Sequence, residues 1–157
     1  MPRTKTLLWA GAVVTASAAV FFPRIQGIRD EGDSWWRLAW FFVPQDMEGV
    51  ILVPLVVLLT IALFALVGRW AWRDTGAANR PAKVGLVVGL LGLLGVLVFF
   101  VSAPIILGGL GITLGLEGLR RRQTDGGDKL AAAAIVVSAA AFLIGAAIWA
   151  FAEELGI

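Results

Sequence analysis

The chain contains no cysteine, no histidine and no tyrosine. Without cysteine there is no disulfide, no thiolate nucleophile and no Cys-held iron–sulfur cluster, and without histidine the usual ligands of zinc, copper and haem are missing. A redox centre would have to belong to a partner, and the sequence calls for no metal or cofactor of its own. Charge is scarce as well: 15% of the 157 residues are Asp, Glu, Lys or Arg, while 59% are hydrophobic. A soluble domain is nearer a quarter charged, so this much apolar surface needs a solvent other than water. A net charge of +2 on such a chain gives no footing for nucleic-acid binding.

What the sequence does have is long apolar runs. About 20 such residues cross a ~30 Å hydrocarbon core as a helix. Residues 49–68 and 130–151 fit that length. A third run, 7–22, follows the basic start MPRTK and reads either as a short anchor or as a signal peptide cleaved near Ala16, Ser17 and Ala18. Residues 84–116 carry no charge and would be ~50 Å long as a single helix, too long for one crossing. Pro104 follows Ser102 near the centre of this run, and proline disfavours helical geometry in the residue before it. The run therefore reads as a broken hairpin joined around residues 102–104. Its second limb, 105–119, is short and either crosses thinly or re-enters.

Basic residues in short loops accumulate on the cytoplasmic side. With five spans and the amino terminus inside, Arg3, Lys5, Arg69, Arg73, Arg80, Lys83, Arg120, Arg121, Arg122 and Lys129 are cytoplasmic. Arg24, Arg29 and Arg37 are then outside. A single crossing by residues 84–116 would export the triple arginine, so the run Arg120, Arg121, Arg122 acts as an orientation signal and the carboxyl terminus is expected outside. The expected fold is an all-α, polytopic bundle of about five hydrophobic helices. Residues 1–22 form the anchor or signal-like helix, 23–48 an outer loop and 49–157 the helical membrane bundle.

The outer loop carries Asp30, Glu31, Asp33, Asp46 and Glu48 beside its three arginines, which reads as a solvated loop. Within it, Trp35, Trp36 and Trp40 accompany Phe41 and Phe42 in a stretch too short to cross. Indoles favour the headgroup level, so this is expected to be a short interfacial helix capped by Asp33 or Ser34 and stopped by Pro44. The same preference puts Trp70 and Trp72 at the inner surface and Trp149 at the outer one.

Gly85, Gly89 and Gly92 recur every three or four residues and share one face of the first limb. Gly108, Gly111, Gly115 and Gly118 do the same on the second, and Ala134, Ser138, Ala141 and Gly145 on the last span. Small residues let helix backbones approach closely in lipid, so these strips predict a tight hairpin and a third helix packed by the same device. The GGLGIT stretch at residues 108–113 lacks the lysine of a phosphate loop. Glu117, one helical turn from Arg120 and Arg121, reads as an ion pair of a helix end rather than a proton relay.

From Ala82 to Ala152 a glycine-rich helix, a break, the segment LGGLGITLGLEGLRRR, a polar glycine loop and an alanine-rich helix follow in order. This order resembles a family of uncharacterised bacterial membrane domains, frequent in actinobacteria, with a glycine-rich hairpin ending in basic residues. The likeness covers under half the chain, which departs from it in Glu117 and in a Trp-rich amino-terminal half. It implies topology and no catalytic residue.

In the spans the polar side chains are Thr15, Ser17, Thr60, Ser102, Thr113 and Ser138, none with a base beside it in sequence. The expectation is a non-enzymatic structural or accessory membrane protein that packs against itself or a larger complex. The alternative is a transporter or channel component built on the hairpin of residues 84–119.

Overall fold

A computed structural model describes residues 2–30, 47–73, 79–97, 102–121 and 127–151, with side chains in them except at 2–4, 24–30 and 47–49. All the regular structure among the described residues is helical. Helix α1 spans Pro2–Asp30. Helix α2, Met47–Leu63, runs on through a π turn, Phe64–Gly68, into α3, Arg69–Trp72, as one rod. Helices α4, Arg80–Gly95, α5, Ala103–Arg120, and α6, Asp128–Phe151, complete the chain. Four stretches are long and apolar enough to cross a membrane: Lys5–Pro23, Val50–Trp72, Ala103–Arg120 and Asp128–Phe151.

Two sequence expectations shift. Residues 24–30, assigned to the outer loop, continue α1 as helix past Pro23. The two limbs of the hairpin also exchange their relative lengths. The second limb starts at Ala103 and reaches 18 residues, whereas α4 ends at Gly95 after 16, or ~24 Å. Proline explains both starts, because its missing N–H is not needed in a first helical turn. Pro81 and Pro104 both stand one residue into their helices, behind the left-handed residues Asn79 (φ 44°) and Ser102 (φ 55°). The stretch expected to hold the interfacial helix, with Trp35, Trp36 and Trp40, lies outside the described residues, as does Arg122.

The two limbs share one pattern at a constant offset. Asn79, Pro81, Gly85, Gly92 and Gly95 correspond to Ser102, Pro104, Gly108, Gly115 and Gly118, with Gly89 answering to Ile112. Because α4 and α5 run antiparallel, this is an inverted repeat, and its contacts are reciprocal: Gly85 faces Gly115, and Gly92 faces Gly108.

The remaining directions follow from who meets whom. Gly115 lies against Ala131 and Ile135, and Gly145 against Pro104 and Ile105, so α6 is antiparallel to α5. Gly11 meets Thr113 while Ser102 reaches Ala19, so α1 is antiparallel to α5 as well. Leu8 covers Gly68, and Val20 packs in one cluster with Val56, so α2 returns beside α1. Helix α5 is the centre, with 67% of its span buried, and the rod of α2 and α3 the periphery, with 17% of the span Val50–Trp72 buried.

Candidate functional site

The core between α4, α5 and α6 is built from small residues. A methyl group on Gly108 would come within 2.7 Å of both the Phe142 nitrogen and the Ser138 carbonyl oxygen. At Gly85 it would meet the Gly111 oxygen at 3.0 Å, at Gly118 the Ala82 Cβ at 2.8 Å, and at Gly115 the Ile135 side chain at 2.6 Å. Gly89 and Gly111 both face Ser138, and Gly92 faces Ala141. Ser138 stands where the three helices meet, and its hydroxyl points to the Gly85 carbonyl at 3.4 Å. Every residue of the three small-residue strips is buried. Backbones this close gain dispersion contacts that any larger side chain would forfeit.

Three further hydroxyls are spent on backbone carbonyls. Thr60 donates to Val56 at 2.7 Å and Thr113 to Gly109 at 2.9 Å, each one turn back along its own helix. Ser102 donates across to Ala19 at 2.9 Å. Sequence reasoning missed a second interlock, between α1 and α5. Thr113 fills the space over Gly11 while Thr15 fills that over Gly109, so each helix offers one gap and one knob. The signal was there as Gly11 four before Thr15 and Gly109 four before Thr113, a small-residue spacing hidden among many alanines. Gly68, covered by Leu8, was missed for the same reason.

The helix directions bring every lysine and arginine with a described side chain to one end. These are Lys5 on α1, Arg69 and Arg73 at the close of α3, Arg80 and Lys83 on α4, Arg120 and Arg121 at the close of α5, and Lys129 on α6. Glu117 is buried there, accepting from Arg120 Nη1 and Arg121 Nε, each at 3.1 Å. The Arg80 guanidinium stacks 4.2 Å from the centroid of the exposed Trp70 ring, a cation–π pair. Trp72 turns inward, half-buried against the Leu8 and Ala71 cluster, and its buried indole N–H has no acceptor among the described residues. Asn79 ties the same end together: its Nδ2 donates to the Gly118 carbonyl at 3.0 Å, and Gly127 (φ 74°) packs on it. At the opposite end Trp149 packs against the cluster formed by Ala19, Val20, Val56, Ile105, Ile106 and Ala146.

Among the described residues no three His, Cys, Asp or Glu side chains are grouped as metal ligands would be. Compared with known proteins, the chain matches no family model, and no curated protein or solved structure is detectably similar to it.

Proposed function

We propose that this chain is a small multi-pass membrane protein with a structural or accessory role, a scaffold or a subunit of a membrane complex, and without catalytic machinery of its own. One observation carries the reading: the outside of the bundle is as apolar as its core. Leu8, Phe64, Ile105, Leu110 and Leu114 are buried beside the small residues where helices touch, and yet Val13, Ile51, Leu58, Leu66, Val136 and Leu143 point outward and are each at least 64% exposed. In water such a belt would drive aggregation, but in lipid it is the ordinary outer surface of a bundle held by close backbone packing.

Lysines and arginines gathered at one end support an orientation with that end and the amino terminus in the cytoplasm and the carboxyl terminus outside. The glycine contacts fill the space between the limbs of the broken hairpin, so a scaffold is preferred over a transport component that would line a path there. The bilayer is the first partner, and a second copy or a larger complex the next.

Because the chain has no native cysteine, single cysteines report its topology directly. Lys129→Cys is expected to react with an impermeant thiol reagent only after cells are opened, and Gly32→Cys in intact cells. Labelling of Lys129→Cys in intact cells would overturn the orientation, and release of the protein by alkaline carbonate would overturn membrane insertion. Copurification from mild detergent identifies a partner, and ion flux in liposomes holding this protein alone would replace the scaffold reading with the transport one.

A further inference from the structure

Five cations at the basic end, Lys5, Arg69, Arg73, Lys83 and Lys129, make no ion pair among the described residues: Glu117 is occupied by Arg120 and Arg121, and Asp128 accepts from the Lys129 backbone N–H. They come from α1, the α3 end of the second rod, α4 and α6, so their field covers one whole end of the bundle. One of them heads an open face of α1, made of Lys5, Thr6, Trp9, Ala10, Val13 and Val14. Polarity falls along it in order: an ammonium and a hydroxyl at the head, an indole 45% exposed one turn on, then two valines each 65% exposed.

From Lys5 to Val14 the helix rises ~13.5 Å, close to the ~15 Å that separates the edge of a bilayer's hydrocarbon from its midplane. A helix face that is cationic at headgroup level, aromatic at the interface and aliphatic below matches a lipid molecule in both length and polarity. An acidic protein segment would be matched at the head alone.

We propose that this face of α1 seats one anionic phospholipid of the leaflet at the basic end, its phosphodiester against the Lys5 ammonium and an acyl chain along Trp9, Val13 and Val14. The proposal rests on membrane insertion. The surrounding cations raise the local concentration of such lipids, and Lys5 fixes one of them. A lysine near an anionic headgroup is worth ~1 kcal/mol, so its loss lowers affinity about fivefold.

The test is native mass spectrometry of the full chain in neutral detergent, titrated with phosphatidylglycerol and with phosphatidylcholine of identical acyl chains. One phosphatidylglycerol is expected to bind at least about fivefold more tightly than phosphatidylcholine. Lys5→Gln should remove that preference, Lys5→Arg should keep it, and Lys129→Gln, at the same end but away from that face of α1, should change it less than twofold. Glycerol 3-phosphate and an acidic peptide should leave the bound lipid in place. Equal binding of the two lipids would overturn the proposal, as would equal losses in Lys5→Gln and Lys129→Gln, which would mark a diffuse field. Displacement by glycerol phosphate would make the head a phosphate site, and displacement by the peptide a protein-docking site; either overturns the lipid assignment. Extraction of the protein by carbonate removes the membrane reading itself, whereas an inextractable protein without lipid preference removes this proposal alone.

Discussion

The Ser102 hydroxyl donates to the Ala19 carbonyl, the same acceptor that Pro23, four residues further along α1, cannot serve because it has no N–H. A serine at the start of α5 thereby completes a helix on the far side of the interface. This accounts for α1 running past an internal proline, since a freed carbonyl buried away from water needs a partner from a neighbouring helix. It also gives a use to the left-handed backbone at Ser102, a conformation costing ~1 to 3 kcal/mol outside glycine.

The first prediction follows from that pairing. Ser102→Ala should destabilise the bundle by ~1 kcal/mol or somewhat more, as for a buried acceptor losing its donor. In a Pro23→Ala background the restored amide serves Ala19, and the same serine substitution should cost less than half as much. Reversible unfolding in mixed micelles, run as a double-mutant cycle, measures the difference. Additive effects would mean that the two residues do not share the carbonyl.

Glycine positions along α4 and α5 should differ sharply in tolerance. Gly108→Ala pushes a methyl onto backbone atoms of α6 at 2.7 Å, an overpacking expected to cost ~1 to 3 kcal/mol. Gly89→Leu and Gly115→Leu, against Ser138 and Ile135, should be worse than Gly95→Leu. Gly95→Ala meets nothing nearer than 3.9 Å and should be neutral, or should gain up to ~0.5 kcal/mol from helix propensity. Melting temperatures in detergent rank them, and a flat series would mean that the strips are only composition.

The interlock between α1 and α5 predicts a compensated pair. Gly109→Ala drives its methyl into the Thr15 side chain and should loosen α1 from the bundle, lowering the melting temperature. Thr15→Ala removes the hydroxyl and methyl nearest to it, and the double variant should recover part of the loss. A double variant no better than the sum of the singles would show that the helix spacing is set elsewhere.

Much of this fold is legible in the sequence because lipid-compatible helices are bound by length, charge and small residues, three things that composition displays. The strips at Gly85, Gly108 and Ser138 announce their faces through their spacing alone. What the sequence hides is partner choice. Nothing local to Gly89 says that it meets Ser138 of the last helix rather than its own hairpin mate, and nothing at Pro23 reveals a serine some eighty residues on that makes the proline tolerable. Helix limits were blurred where Pro104 was read as the break itself, although proline in a first turn begins a helix. The site at the basic end was visible only as a charge count, and its grouping of Trp70 with Arg80, or of Asn79 with Gly118, depends on helix directions that residue spacing does not contain.

The last prediction concerns Glu117, whose side chain is 4% exposed while its partners Arg120 and Arg121 are 47% and 26% exposed. Removing one arginine leaves the other in place, and an exposed ion pair is worth little, so Arg120→Gln and Arg121→Gln should each cost ~0.2 to 1 kcal/mol. Removing both leaves a buried carboxylate without a counter-charge, and that loss should exceed the sum of the singles and reach ~3 kcal/mol. Adding Glu117→Gln to the double variant removes the stranded charge and should restore most of the stability, even though it deletes the last member of the pair. Thermal melts of the four variants at low and high salt read the effect, which should be little screened because the carboxylate is enclosed. If the double loss equals the sum of the singles, or Glu117→Gln fails to rescue it, Glu117 is hydrated in place and the two arginines act only through the field at the end of the bundle.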